Sequence, residues 1–275
     1  MLAALIIVFR EVIEAGLIVG IVLAATKVVA YRGWWIGGGV AAGTLGACII
    51  AVFAGALTTA FAGFGQELFN AAILGVAVVM LTWHNVWMAS HGSEIAAEMK
   101  AAGEAVVTGK STLMALAVVV GVAVLREGFE VVLFLYGIIA AEGGANIGIF
   151  IGGLAGLALG AAVSALTYFG LLKIPSRYLF AVTSVMIAFL AAGLAAQAIA
   201  FLERADVVTV LGNVLWDSSD ILSDASLLGK ILHTLVGYTD RPTGMQAVIY
   251  LATLAVMYGL MKVAAPARQE VSYRR

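Results

Sequence analysis

Two short runs of charge interrupt long apolar stretches of this sequence, and they share one pattern. Phe9-Arg10-Glu11-Val12-Ile13-Glu14 recurs 116 residues later as Leu125-Arg126-Glu127-Gly128-Phe129-Glu130. In a helix, Glu11 and Glu14 stand at i, i+3 and leave from one face, while Arg10 and Glu14 are neighbours at i, i+4. Glu127, Glu130 and Arg126 repeat that geometry. If the two faces meet, four carboxylates and two guanidiniums share one site with an excess of negative charge. Oxygen donors of that kind suit a hard or borderline cation, and the arginines would hold the carboxylates in place between ions.

Each motif lies near the middle of a stretch long enough to cross a bilayer. An ionised side chain at the bilayer centre costs roughly 2.5–3.5 kcal/mol, so six unpaired ones would cost on the order of 15–20 kcal/mol. Mutual pairing and burial are therefore required. The bland alternative is a pair of salt bridges that only lock helices together. Two copies at equivalent points, each with a surplus carboxylate, favour a binding role instead.

The surroundings of the motifs are those of a membrane protein. Hydrophobic residues make up 63% of the 275 residues and charged residues 11%, more apolar surface than a soluble interior can absorb. A net charge of −1 gives no reason to expect nucleic acid. Cys48 is the one cysteine, so neither a disulfide framework nor a thiolate cluster is available. Arg10, Glu11 and Glu14 break the first apolar run where a cleaved signal peptide would be uninterrupted.

A spanning helix needs about 20 mostly apolar residues. That criterion predicts seven spans, at 2–26, 34–61, 66–90, 111–140, 146–172, 177–202 and 244–262, within one domain covering 1–275. Pro175, Pro242 and Pro266 fall between or after them, where a missing N–H does no harm. Alternate loops carry Lys27, Arg32, Lys100, Lys110, Lys173, Arg177, Lys262, Arg268, Arg274 and Arg275 on one side, against Arg204, Lys230 and Arg241 on the other. The bias predicts an outside N-terminus and a cytoplasmic C-terminus. Residues 91–110 read as a separate solvated helix. The external segment 203–243 is acidic and contains a helical stripe of Leu227, Leu228, Ile231, Leu232, Leu235 and Val236.

Weaker echoes follow the doubled motif in order. Gly38-Gly39 opens the second span as Gly152-Gly153 opens the fifth, and Leu68-Phe69 begins the third as Leu179-Phe180 begins the sixth. Residues 2–90 and 111–202 thus form two copies of three spans, and an odd number makes them cross in opposite directions. This is the inverted-repeat plan of many secondary transporters, whose sites lie where the halves meet. Gly148, Gly152, Gly156 and Gly160, like Gly39 and Gly43, have the spacing that lets helices approach closely in lipid.

Arg-Glu-x-x-Glu in the first and fourth of seven spans resembles the oxidase-dependent iron permease family, which includes fungal high-affinity permeases and a bacterial iron-uptake subunit. Glu67-Leu68-Phe69, Trp83 to Met88, Trp216-Asp217-Ser218-Ser219, Gly237-Tyr238 and Pro242 extend the resemblance over nearly the whole chain. It implies that Glu11, Glu14, Glu127 and Glu130 carry iron across the plasma membrane (a bacterial inner membrane), with Arg10 and Arg126 in support. Iron is then substrate rather than cofactor. An external oxidase or a periplasmic iron-binding protein is the implied partner, beside membrane lipid. The fungal Asp-Ala-Ser-Glu motif is incomplete here, because Asp224-Ala225-Ser226 is followed by Leu227.

Other residues are open to two readings. Glu67 is either a ligand where ions enter or an interfacial acid favoured at a helix N-terminus. Asp217, Asp220 and Asp224 either collect cations or serve as solvated and capping acids. His84 reads as a hydrogen-bonded core histidine, and His91 and His233 as solvated. Trp34, Trp35, Trp83 and Trp87 fall at inferred span ends, as an interfacial belt would. The reading is an iron importer. Its rivals are a carrier of another divalent metal, or a cation/proton exchanger on the same carboxylates. A membrane redox enzyme is the poorest fit, since paired histidines, a Cys motif and Glu-x-x-His are all missing from the sequence.

Overall fold

Long apolar runs in lipid must satisfy their backbone polar groups within the segment, and a helix does so. The computed structural model describes residues 1–60, 65–170, 176–224 and 226–264. It is all-α, with no strand among the described residues beyond one isolated bridge between Val214 and Thr243. The helices are α1 (Leu2–Ala25), α2 (Arg32–Ala60), α3 (Gln66–Val107), α4 (Leu113–Ala141), α5 (Ile147–Tyr168), α6 (Ser176–Arg204), α7 (Leu227–Val236) and α8 (Gly244–Ala264). Polar residues set several starts: the side chains of Thr112, Asn146 and Ser226 accept the first free N–H groups of α4, α5 and α7.

Among the described residues, five segments are long and apolar enough to cross a membrane: Arg32–Ala56, Gln66–Met88, Ile147–Tyr168, Ala181–Arg204 and Gly244–Ala264. The motif helices α1 and α4, 24 and 29 residues long, match them in length but each carries three charges. The apolar stripe at 227–236 is α7, which ends at Gly237 in the left-handed region (φ 69°). Gly237 is also where α7 closes on α6, for a Cβ there would lie 2.9 Å from Cα of Gly193. Pro175, Pro266, Lys173, Ala225, Arg268, Arg274 and Arg275 lie outside the described residues.

The third span, read as 66–90, has its apolar segment at Gln66–Met88. Its apolar part and the polar segment 91–107 form one continuous helix of 42 residues, about 63 Å long, rather than a span and a separate helix. Composition changes at Ser90, but Glu94, Ala96, Ala97, Glu98, Met99 and Lys100 are good helix formers, so nothing stops the helix. Trp83 and Trp87 lie within α3, near the end of its apolar segment at Met88.

Helix pairing is crossed between the two halves. The first helix packs most extensively on α5 and the second on α4, with α3 against α6. Glycines set the two close contacts. A Cβ on Gly156 of α5 would meet Leu5 O of α1 at 2.6 Å and Phe9 N at 3.0 Å. One on Gly43 of α2 would meet Gly121 O of α4 at 2.5 Å and Leu125 N at 2.9 Å. Leu5 and Phe9 precede Gly121 and Leu125 by the same 116 residues that separate the motifs. Any larger residue would push these backbones apart.

Two apolar clusters bracket the charged motifs. A large one joins Ala3, Ala4 and Ile7 of α1, Leu74 of α3, Phe134 and Ile138 of α4, and Ile187, Leu190 and Ala191 of α6. A smaller one joins Val22, Ile36, Leu116 and Val120 at the other end. Residues 10–14 and 126–130 fall between them on both helices.

Candidate metal site

Because Glu11 and Glu14 leave α1 from one face and Glu127 and Glu130 leave α4 likewise, contact between α1 and α4 brings all four to one buried layer. Arg10 is 2% exposed. Its Nη1 lies 3.4 Å from Glu11 Oε1, and its Nε lies 2.9 Å from Glu14 Oε1. The second motif is held differently. Arg126 Nε is 3.3 Å from Glu130 Oε1, its side chain is 42% exposed, and its guanidinium lies over the ring of Trp87 at 4.4 Å from the centroid. Glu127 is buried, and its Oε2 has no hydrogen-bond partner among the described residues.

A residue of α3 joins the two motifs. His84 is buried, with Nε2 3.4 Å from Glu14 Oε2 and 3.7 Å from Glu11 Oε2, while its Nδ1 contacts Glu130 Oε2. One ligand atom from each of Glu11, His84, Glu127 and Glu130 can be chosen so that all lie within 4.8 Å of one another. Donors around a first-row cation at about 2.0–2.2 Å stand at most about 4.4 Å apart, so small side-chain movements would close the set on an ion. Buried acceptors without hydrogen bonds are rare and call for an explanation. Here Glu127 Oε2 has no hydrogen-bond partner among the described residues, and Glu11 Oε2 has only His84 Nε2 near it, at 3.7 Å. A cation among them would satisfy the group together.

Sequence reasoning picked out the glutamates and both arginines. Glu14 reaches this layer but stands outside the tightest set, paired with Arg10. His84, read as a hydrogen-bonded core histidine, is buried and bonded, and its partners are glutamates of both motifs. The other candidates are not brought there. Glu67 sits half-buried in the first turn of α3, 17 residues and so about 25 Å along the helix from His84. Asp217 accepts from the Ser219 amide (3.0 Å) and hydroxyl (2.6 Å) and pairs with Arg241 Nε at 3.0 Å. These partners hold its carboxyl down at about 2. Asp224 and Asp240 each accept the other's backbone N–H, and burial pushes the Asp224 carboxyl up. Asp220 is exposed. His233 is exposed with Nδ1 donating to Tyr238 O at 2.7 Å, whereas His91 is half-buried and stacked on Trp87.

A buried carboxylate–imidazole cluster between two copies of Arg-Glu-x-x-Glu is the setting in which the comparison with known proteins becomes informative. The iron permease FTR1 family matches residues 1–269. This chain belongs to that family. It is 34% identical over 258 residues to the ferrous iron permease EfeU of Yersinia pestis, covering 92% of this chain and 90% of that protein. It is 32% identical over 271 residues to the ferrous iron permease EfeU of Escherichia coli O157:H7, covering 94% and 96%. No solved structure matches it. Membership in a permease family and the five apolar helices together make the chain a helical membrane protein.

Proposed function

We propose that this chain carries iron across the membrane as a substrate ion, held in transit by Glu11, Glu127, Glu130 and His84. Glu14, Arg10 and Arg126 orient those carboxylates. The observation that carries the reading is the convergence of the four ligand atoms within 4.8 Å in a buried layer between two apolar clusters. The cargo follows from the family and from what the relatives are named for. Three carboxylates and one imidazole form a mixed oxygen and nitrogen set suited to a borderline divalent metal.

In this reading seven helices span the bilayer, α1 to α6 and α8, with the N-terminus outside and the C-terminus inside. Helices α1–α3 and α4–α6 are inverted repeats. Support comes from the crossed pairing of α1 with α5 and α2 with α4, and from the matched glycine contacts at Gly156 and Gly43. Such a pseudo-two-fold places one motif from each half at the shared layer, as transporter sites built from repeats require. The loop with Asp217, Asp220 and Asp224 then lies on the external side, where a partner protein would deliver iron.

The test is uptake of radiolabelled iron by proteoliposomes, normalised to folded protein, with manganese and zinc as competitors. Glu11→Gln and Glu127→Gln each keep shape and remove an anionic ligand, and uptake should fall to background in both. Retained uptake in both variants would overturn the shared site. Equal competition by all three metals would overturn iron as the preferred cargo.

A further inference from the structure

The two motif arginines are placed unlike each other, and the difference falls in the middle of the bilayer. Arg10 is sealed between Glu11 and Glu14. Arg126, midway along α4, leaves 42% of its side chain exposed. A guanidinium edge facing hydrocarbon at that depth is expensive, and intramembrane charges face the bundle interior or a water-filled cavity. What lies beside it identifies the medium. The Trp87 ring under Arg126 stacks at 5.1 Å on His91, whose Nδ1 is 2.8 Å from Ser90 Oγ. From Ser90 onward α3 is polar, with exposed Glu94 and Glu98. A polar track thus runs along α3 from its charged half to Arg126, and Arg126 adjoins Glu130 of the ion site. On the opposite side of the site Ile7, Leu74, Phe134 and Ile187 of the large cluster are fully buried.

We propose that Arg126, shared between Glu130 and the face of Trp87, is the inner gate of the cation pathway, and that the groove past Trp87 and His91 is the aqueous exit for a divalent cation. The proposal rests on the ion site described above and adds the route out of it. A cation that takes Glu130 as a ligand displaces the guanidinium from that carboxylate. The indole face then gives Arg126 a second place to rest, by cation–π attraction, without leaving the pathway. Trp87 is a positioning residue in this scheme. It acts through Arg126 and never touches the ion.

Two measurements on the full chain test this, in a Cys48→Ser background that removes the natural thiol. First, single cysteines at Ser90 and at Val79, the latter exposed on the apolar half of the same helix, are treated with a positively charged thiol reagent in membrane vesicles. Thiolates form only in water, so Ser90→Cys should label at least tenfold faster than Val79→Cys. Equal rates would overturn the aqueous groove, whatever the cargo. Second, iron uptake is compared in Trp87→Phe and Trp87→Leu at equal protein levels. Phenylalanine keeps an aromatic face and leucine only the apolar bulk, so Phe should retain most uptake and Leu lose about tenfold, the scale of one cation–π contact. Equal uptake in the two, high or low, would overturn the gate. Failure of the glutamate site itself would appear in Glu11→Gln and Glu127→Gln and leave the labelling contrast intact.

Discussion

The motif of α1 and the motif of α4 have the same residues at the same spacing, yet the first is a closed unit and the second an open one. Arg10 is buried and bound to both of its glutamates, while Arg126 reaches one glutamate, lies on an aromatic ring and leaves 42% of its side chain exposed. Glu127 is left with an unpartnered oxygen. Sequence symmetry therefore does not impose equal roles. What breaks it is α3, which supplies both His84 and Trp87 to one layer. One half of the site is a fixed frame. The other half has the unpartnered carboxylate oxygen and the partly exposed guanidinium.

The largest expected effect is common to both halves. Glu127→Gln should remove iron uptake as completely as Glu11→Gln, because each takes away a ligand oxygen. If Glu127→Gln alone were tolerated, the open half would not be the binding half. The arginines should then separate the motifs. Arg10→Ala strips Glu11 and Glu14 of their buried partner, and breaking a buried pair costs roughly 3–5 kcal/mol. Thermal unfolding of purified Arg10→Ala should show that loss. Arg126→Ala should unfold near the wild-type temperature but lose transport. Equal melting temperatures for the two variants would erase the distinction between frame and gate.

His84 comes next in size. Substitution by Gln keeps one hydrogen bond but cannot contact both motifs, so iron binding should weaken by about ten- to a hundredfold, read by titration calorimetry on detergent-purified protein. Wild-type affinity would return His84 to the role of a core histidine. The smallest effect is expected in the external loop. The Asp217 carboxyl is held down at about 2 by Ser219 and Arg241, below its unfolded value of about 3.9. With a depressed folded value, its contribution is full above about pH 4 and lost only as pH falls toward 2. Amide exchange at Ser219, corrected for intrinsic rate, should show constant protection from pH 7 to pH 4 and lose it near pH 2, with Asp217→Asn weakened throughout. Loss of protection near pH 5 would show that the loop is held by something else.

Much of this was legible in the sequence because hydropathy and helix length are tied together in lipid. The predicted spans at 2–26, 66–90 and 244–262 contain helices or apolar segments ending within a few residues of those limits. The end of the apolar segment near Ser90 was legible, since polarity marks where a helix leaves an apolar setting; that the helix runs on unbroken was not. The glutamates were visible because they are duplicated. His84 was not, because nothing repeats it, and a lone histidine in an apolar stretch has the same sequence signature whether it binds a hydroxyl or a metal. The crossed pairing of α1 with α5 was hidden as well. Glycine spacing announces a close contact but does not name the partner helix.

Whether an ion sits where the two motifs meet can be seen directly. Crystals of the wild-type protein soaked with ferrous iron, measured on both sides of the iron absorption edge, should give one strong anomalous peak in the buried layer. It should lie about 2.0–2.2 Å from carboxylate oxygens of Glu11, Glu127 and Glu130 and from a nitrogen of His84. A peak confined to Asp217, Asp220 and Asp224, with none between α1 and α4, would contradict the account.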